Sequence, residues 1–386
     1  MARLRTWAVN GLLTAAAAVL TVGLAEVAVR SLAPQPTGLS YHDPYGLVLH
    51  WPGLVRYLPQ YGVTASFNSA GLRDREHSLD KPAGVYRILV LGDSFMEALQ
   101  VPFETSLPSR LERALESAGS RIEVLNAGVS GWGTDDELRY LTHYGLRWSP
   151  DLILVAMTLH NDVSDNLREE WHTVTDGRLV EQPHVPVTGL RHQVRKLKAF
   201  LATRFQLYQL WRKVRHGPEM RRTGQALHSH VTDLFRDPAA DRLGYGLDLT
   251  SRLLARIRDE AAEHGARVAL ILLPLQAQLV DSAFASFLQA GGLSPSTVPL
   301  DRPQRLLSTA GDSLGIPVID LLPPFREWVR QGGAGLFLER DGHWTALGHQ
   351  VAAGVVGLRL LELGLGPRPQ GQAGTLGTPP TEPPPH

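Results

Sequence analysis

The residue best placed for nucleophilic chemistry in this chain is a serine that directly follows an apolar run. Residues 86–91 are typical of a buried strand, and Gly92-Asp93-Ser94-Phe95 follows, where a helix is expected to begin. In such a turn the Ser94 N–H and the positive end of the helix are available to a developing oxyanion. A hydroxyl is a weak nucleophile alone and needs a nearby base. The same tetrapeptide is also typical of a simple helix cap.

Two later segments carry groups that can stabilise negative charge. Asn126-Ala127-Gly128-Val129-Ser130-Gly131 follows a predicted strand, and its glycines would leave backbone N–H groups exposed. Thr158-Leu159-His160-Asn161-Asp162 follows the next strand, and the Asn161 amide can donate to an oxyanion. Taken singly, each segment also fits an ordinary turn.

A candidate general base lies near the end of the chain, in Asp341-Gly342-His343-Trp344-Thr345. An aspartate beside a histidine can fix the imidazole tautomer and stabilise the imidazolium that forms after proton transfer. The alternative is a loop that only starts the last helix. His349 is expected in the first turn of that helix.

The elements that must position these residues alternate between strands and helices. Strands are predicted at 86–91, 122–125, 152–157, 267–273 and 317–320, and helices at 107–118, 135–144, 249–263 and 346–363. Thr134 is the expected N-cap of the second helix. This alternation predicts βαβ units and a parallel sheet covered on both faces. Active sites of such sheets gather at the carboxyl ends of the strands, where the segments above fall.

In order and placement, the four segments resemble those of the SGNH hydrolases, also called the GDSL esterase/lipase superfamily, and in particular a membrane-anchored bacterial type. The resemblance covers about residues 85–160 and 265–360. It implies that Ser94 is the nucleophile, with His343 as base and Asp341 as its acid partner. It also implies an oxyanion hole of Ser94, Gly131 and Asn161, with Gly128 as an alternative register for the glycine.

Two departures from the family pattern affect the expected reaction. Leu159 stands where the family usually has a glycine two residues before Asn161. The last block is Asp-x-His, with Trp344 at the position of the usual histidine. That shorter spacing is similar to the branch of the superfamily that acetylates polysaccharides, so acyl transfer to water and to a sugar hydroxyl both stay open.

The predicted fold class is therefore α/β: a three-layer α/β/α fold with a flavodoxin-like five-stranded parallel sheet, an N-terminal transmembrane helix and a helical insertion. The expected domains are a membrane anchor or signal at 1–30, an extended connector at 31–80, the hydrolase domain at 81–363, and a disordered Pro/Gly-rich tail at 364–386. The insertion spans about 163–247.

The N-terminus predicts a membrane location. Arg3 and Arg5 precede an apolar stretch, and residues 7–29 are long enough to cross a bilayer if Glu26 is tolerated near the far end. The basic residues favour a cytoplasmic N-terminus and an extracytoplasmic catalytic domain. A cleaved signal and a secreted protein are the alternative.

The insertion is strongly basic. Residues 191–222 contain ten Lys or Arg and a single acid, Glu219, and apolar residues recur there near helical spacing. Its role within 186–222 stays open: either helices pack on the core with solvated charges, or a basic amphipathic surface contacts an anionic membrane or ligand. Asp176-Gly177, earlier in the insertion, predicts a hairpin turn.

Composition narrows the function classes. Lys+Arg and Asp+Glu are 38 each, which gives no indication of nucleic-acid binding. The absence of cysteine excludes disulfides and thiolate chemistry, and neither a metal motif nor a phosphate-binding loop is present, so no cofactor is expected. We predict a serine esterase acting on acyl esters of cell-envelope carbohydrate or lipid. The alternatives are a polysaccharide O-acetyltransferase using the same residues and a non-catalytic envelope binding protein.

Overall fold

The computed structural model describes residues 2–117, 121–159, 161–168, 171–216, 233–235, 241–292, 294, 298–339 and 341–367. The chain forms two compact units. The helical unit comprises Met1–Arg56, Ser66–Leu72 and Gln182–Val231, and the α/β unit comprises Tyr57–Ala65, Arg73–Glu181 and Thr232–His386. Most of the predicted tail (368–386) and parts of the insertion (217–232 and 236–240) lie outside the described residues.

The strands are β1 Ser40–His42, β2 Val48–His50, β3 Val55–Leu58, β4 Val63–Ser66, β5 Tyr86–Gly92, β6 Ile122–Gly128, β7 Leu152–Thr158, β8 His172–Thr175, β9 Arg178–Glu181, β10 Arg267–Leu273 and β11 Val318–Asp320. The α-helices are α1 Ala2–Leu32, α2 Ser94–Glu97, α3 Leu107–Ser117, α4 Thr134–His143, α5 Asp162–Asn166, α6 Gly189–Arg204, α7 Asp241–Glu263, α8 Asp281–Gly291, α9 Arg302–Ser313, α10 Leu322–Arg330 and α11 Ala346–Glu362. Residues 206–216 are also helical. Short 3-10 turns lie at Phe103–Thr105, Gly145–Trp148, Asp233–Phe235 and Gln276–Gln278.

The centre of the α/β unit is a five-stranded parallel sheet with the order β11-β10-β7-β5-β6. Counted along the chain, these strands lie in the order 2-1-3-4-5, which is the flavodoxin-like arrangement. The predicted fold class is confirmed in this respect. Most residues of β5, β7 and β10 are buried and apolar, as expected for strands that are covered on both faces.

Helices cover both faces of the sheet. On one face α3 packs against α11, and both join a buried cluster with Ile88, Val90 and Phe325. On the other face α7 contacts β10, α4 and α9. Each layer is expected from its sequence, because α3 and α7 repeat apolar residues at helical spacing.

The predicted elements match the observed ones within a few residues at most ends, with two informative differences. Strand β6 continues past the predicted end, because Asn126 to Gly128 pair with the last residues of β5. The expected N-cap of α4 was wrong: Gly133 is the N-cap and Thr134 lies inside the first turn. The Asn166 side chain accepts the Asp135 N–H at 3.0 Å and replaces a capping side chain.

The predicted hairpin turn at Asp176-Gly177 is confirmed. Strands β8 and β9 are antiparallel with Thr175 opposite Arg178. Asp176 and Gly177 both have positive φ, at 49° and 68°, as a two-residue type I′ hairpin requires.

The helical unit contains α1, the β1-β2 hairpin and α6. Within α1, Arg5–Leu32 is apolar and long enough to cross a membrane, with a mean hydropathy of 2.1 in its most apolar window. The Glu26 carboxylate accepts the backbone N–H groups of Gln206 and Leu207 at 2.9 and 2.8 Å. The charge that interrupts the apolar run therefore caps the helix at 206–216.

Candidate active site

Ser94 is the first residue of α2, directly after the carboxyl end of β5. The Asp93 carboxylate caps this helix by accepting the Phe95 N–H at 2.9 Å. Ala98 ends the helix in the left-handed region at φ 53°. The four-residue helix thus holds the Ser94 side chain at the edge of the sheet.

A buried arginine fixes the turn from its far side. The Arg73 guanidinium donates to the carbonyls of Glu97 and Val101 at 2.7 and 2.6 Å. Burial lowers the pKa of Arg73 to about 10, partly offset by the charge of Glu97. The Asn126 side chain adds a bond to the Met96 carbonyl at 2.8 Å. The backbone after Ser94 is therefore held by side chains that the sequence did not single out.

Ser94, His343 and Asp341 form one hydrogen-bonded chain. The Ser94 Oγ lies 2.8 Å from His343 Nε2. His343 Nδ1 contacts Asp341 Oδ1 through the other side of the ring. A base must come within about 3.2 Å of the hydroxyl it deprotonates, and this contact meets that requirement.

Trp344 accounts for the short spacing of the last block. Its side chain is fully buried and packs on Phe95 and Phe325, with ring centroids 5.2 and 5.3 Å away. Phe337 pairs with Trp344 in an antiparallel bridge, and the Leu338 N–H donates to the His343 carbonyl at 2.8 Å. This small loop directs residue 344 into the core and residue 343 toward Ser94.

Tyr61 extends the chain by one residue. Its hydroxyl donates to Asp341 Oδ2 at 2.7 Å. Burial of Asp341 favours its neutral form, but the hydrogen bonds from Tyr61 and His343 outweigh that effect and lower its pKa. The sequence analysis did not identify Tyr61, because a single tyrosine in a segment without periodicity gives no local signal.

The two candidate oxyanion glycines differ in their surroundings. The Gly128 N–H donates to Asn126 Oδ1 at 3.0 Å, and a Cβ at Gly128 would lie 2.5 Å from the Glu97 nitrogen. Gly131 has φ 84° and open space where its Cβ would stand. Gly128 therefore lets the backbone of β6 lie close to the backbone of Glu97, whereas Gly131 lies in an exposed turn that a ligand can reach.

Glu97 holds the loop that carries Gly131. The buried Glu97 carboxylate accepts the Ser130 N–H at 2.7 Å and also accepts the Ser130 hydroxyl. Since Glu97 is the last residue of α2, the turn of Ser94 and the turn of Gly131 are joined through one side chain.

Asn161 is engaged by carboxylates in this structure. Its Nδ2 donates to Asp93 Oδ2 at 3.2 Å and to Asp165 Oδ2 at 3.1 Å. Thr158 also donates to Asp93, at 2.9 Å. An oxyanion would have to replace one of the two carboxylates as the acceptor of Asn161.

Buried acids surround Asp93. Burial, followed by the charges of Asp93 and Asp136, raises the pKa of Glu137 well above its usual range. Burial and the charges of Asp93 and Glu137 do the same for Asp162. The raised pKa values favour the neutral forms of Glu137 and Asp162, and neutral side chains there reduce the electrostatic repulsion around Asp93.

His349 lies in the first turn of α11, as expected from the sequence. Its Nδ1 accepts the Leu107 N–H at 3.2 Å. Burial, then the charges of Arg73 and Arg110, lower the pKa of His349 to about 3. It is a neutral structural imidazole that holds the start of α3.

Among the described residues, no group of three or more His, Asp or Glu side chains is arranged to hold a metal ion.

Comparison with known proteins yields one family match and one curated relative. Residues 236–384 match the model described as "ALGX: SGNH hydrolase-like domain, acetyltransferase AlgX". An arylesterase from Vibrio mimicus is 38% identical over 71 residues, which are 18% of this chain and 36% of that protein. The chain thus matches well under two thirds of the relative's length.

Solved esterase structures are similar to this chain at low sequence identity. An acetyl xylan esterase, AlAXEase, shares 12% identity with a TM-score of 0.39, covering 71% of this chain and 99% of that one. A lipase/acylhydrolase from Enterococcus faecalis shares 16% identity with a TM-score of 0.36, covering 72% and 96%.

The family match contains Asp341 and His343 of the last motif block. Ser94 lies outside the matched residues, in the turn after the first strand of the parallel sheet. The superfamily resemblance inferred from the motifs is confirmed by the match. Residues 236–384 of the α/β unit are thus similar to the SGNH hydrolase-like domain of that family model.

Proposed function

We propose that this chain is a serine acyl hydrolase or acyltransferase that works through Ser94, His343 and Asp341. The observation that carries the proposal is the 2.8 Å contact between Ser94 Oγ and His343 Nε2, with Asp341 on the other ring nitrogen. This arrangement supplies a nucleophile, a base and a group that orients the base.

In the proposed reaction Ser94 Oγ attacks the carbonyl carbon of an ester while its proton passes to His343 Nε2. Asp341 stabilises the imidazolium. The Ser94 and Gly131 N–H groups and the Asn161 amide hold the oxyanion. The alcohol leaves with the proton from His343, and an acyl-serine ester is left. Water or an acceptor hydroxyl then attacks that ester, His343 accepts its proton, and Ser94 is regenerated.

The test is covalent labelling of the purified full-length chain with a fluorophosphonate probe, together with hydrolysis of p-nitrophenyl acetate. Ser94→Ala is expected to lose both signals, with kcat reduced by about 10³-fold or more. Ser109→Ala, on the surface of α3, is the matched control and should keep both. Undiminished labelling of Ser94→Ala would show that another residue is the nucleophile.

We also propose that α1 anchors the protein in a membrane with its N-terminus in the cytoplasm and the α/β unit outside. The support is the apolar helix Arg5–Leu32 and the basic residues before it. The proposed substrates are then acyl esters of envelope carbohydrate or lipid. Alkaline carbonate extraction of membranes should leave the chain in the pellet, and protease should reach the α/β unit from outside. Release of a shortened chain into the medium would support secretion instead.

A polysaccharide O-acetyltransferase is the second candidate. It is favoured by the family model, which is described as an acetyltransferase and covers the short Asp341-Gly342-His343 block. Incubation with an acetyl donor and oligosaccharides separates the two reactions. Acetylated sugar supports transfer, whereas free acetate alone supports hydrolysis.

A non-catalytic binding protein is the third candidate, and a Ser94–His343 separation too long for proton transfer would favour it. The 2.8 Å contact counts against it. Complete absence of labelling in the unaltered chain, together with retained binding of acylated sugar, would favour it.

A further inference from the structure

The helical unit contains a cavity of about 730 Å³ that lies outside the proposed catalytic site. Its walls come from residues 38–42, from α6 and from the helix at 206–216. All of these segments belong to the same unit. The cavity therefore has walls from three separate stretches of chain.

The lining is cationic. Arg195, Lys198 and Arg212 contribute three positive side chains, and no Asp or Glu is among the lining residues of the described chain. Within the described residues, none of these three side chains forms an ion pair or a side-chain hydrogen bond. Three cations around one cavity, without an acidic partner among the described residues, attract an anion. Two of them are arginines, whose planar guanidinium groups suit phosphate oxygens.

Aromatic rings form the other part of the wall. Tyr208 and Trp211 stack with centroids 5.5 Å apart, and Tyr41 lines the cavity beside His42. Rings of this kind, with an apolar body and a polar edge, are enriched where a protein meets the head groups of a bilayer. The lining thus combines cations that can bind an anion with aromatic rings typical of a membrane interface.

The cavity is tied to the far end of the apolar helix. Besides the Glu26 cap, Arg30 donates to the Arg204 carbonyl at 2.8 Å, at the junction of α6 with the next helix. Both helices that line the cavity thus meet α1 within its last two turns, which end at Leu32. If α1 crosses a bilayer, this junction lies at the membrane surface.

The neighbouring helical surface is apolar as well as basic. Leu190, Leu197 and Val214 are 80%, 55% and 76% exposed on the two helices. Exposed apolar residues interleaved with Lys and Arg are typical of helices that lie in a membrane interface. This surface can contact the acyl chains of a lipid, which a soluble anion lacks.

We propose that this cavity binds the phosphate of an anionic phospholipid head group, held by Arg195, Lys198 and Arg212, in the membrane from which α1 emerges. The glycerol and the upper acyl chains then lie against Trp211 and the exposed apolar residues. The site is separate from Ser94, so the proposed acyl chemistry and this binding can fail independently.

The test uses the full-length chain in a neutral detergent and measures its affinity for dihexanoyl phosphatidylglycerol. The cavity variant is Arg195→Gln/Lys198→Gln/Arg212→Gln. The matched control, Arg191→Gln/Arg204→Gln/Lys213→Gln, removes the same charge from the same helices outside the cavity. The cavity variant is expected to bind at least about tenfold more weakly, and the control less than about threefold. Equal thermal unfolding of the two variants shows that both are folded.

Four probes identify the source of the phosphate. Phosphatidylglycerol should bind more tightly than glycerol phosphate and inorganic phosphate, and dihexanoyl phosphatidylcholine should bind weakly. Equal affinity for glycerol phosphate and phosphatidylglycerol would contradict the proposal that the ligand is a lipid, and would indicate a soluble anion. An equal loss of lipid affinity in both triple variants would mean that binding comes from diffuse charge attraction and that the cavity is not a specific site. Tighter binding of a uronate oligosaccharide would assign the cavity to a polysaccharide instead. Ser94→Ala should retain the lipid, whatever the outcome for acyl chemistry.

Discussion

Tyr61 donates its hydroxyl to Asp341 Oδ2 across 280 positions of sequence, so the acid beside His343 is itself held by a second donor. The bond places a tyrosine of the N-terminal third at the end of the Ser94–His343–Asp341 chain. It also lowers the pKa of Asp341, together with the contact from His343 and against the effect of burial. Tyr61 is thus a positioning residue of the proposed reaction.

Tyr61→Phe is expected to reduce kcat about three- to tenfold, because hydrogen bonds to charged groups are worth about 1.5–3 kcal/mol and this one is partly exposed. The pKa of Asp341 should rise when the donor is lost. A carboxylate that protonates at higher pH moves the acid limb of the kcat/KM profile to higher pH. A pH–rate profile with p-nitrophenyl acetate measures both effects.

Tyr57→Phe is the matched control, because Tyr57 is 60% exposed on the same segment. It should leave the profile unchanged. An unshifted acid limb in Tyr61→Phe would show that the hydroxyl does not tune Asp341.

The two glycines of the β6 loop should respond oppositely to alanine. Gly128→Ala brings a Cβ within 2.5 Å of the Glu97 nitrogen, so it should destabilise the fold by about 1–3 kcal/mol. Gly131→Ala meets no neighbour but has φ 84°, so it should cost about 1 kcal/mol and mainly lower kcat. Thermal unfolding and kinetics on both variants make the comparison. A Gly131→Ala enzyme with normal kcat would remove Gly131 from the oxyanion hole.

The α/β unit could be predicted from sequence because its signals are local. The strand at 267–273 is a continuous apolar run that matches β10 at both ends, and α3 has a strong apolar stripe. Segment 31–80 showed no such pattern, yet it contains two short hairpins. Strands of three or four residues are too short to establish a period of two, so their pairing depends on contacts far along the chain.

The candidate site could be predicted only as far as its motifs. The sequence predicted the order of Ser94, Gly131, Asn161 and the last block. It did not predict the hydrogen bond from Tyr61 to Asp341. The hydrogen bond between Ser130 and Glu97 could not be predicted either, because it depends on how two loops fold together. The sequence favoured Gly131 with Gly128 as the alternative, and the different surroundings of the two glycines are seen only in the backbone.

Asn161→Ala tests the side-chain donor of the proposed oxyanion hole. Removing such a donor costs about 10²–10³ in kcat in comparable sites, and KM should change little. Ser164→Ala, which removes a hydroxyl bonded to the Asn161 carbonyl in the same short helix, is the control. Steady-state kinetics on both variants measure the effect. A drop below about fivefold in Asn161→Ala would indicate that the amide stays with Asp93 and Asp165 throughout the reaction.

His349 predicts how stability depends on pH. Its folded pKa of about 3 lies below its unfolded value, so the unfolded state binds the extra proton between about pH 6.5 and 3. Its contribution is therefore complete above pH 6.5 and is lost, by about 1.4 kcal/mol per pH unit, as the pH falls toward 3. His349→Gln keeps an acceptor for the Leu107 N–H and does not titrate. The unaltered chain should lose more stability than this variant between pH 7 and 4.5, as measured by urea unfolding of the full-length protein. Parallel stability curves would show that His349 can be protonated without unfolding.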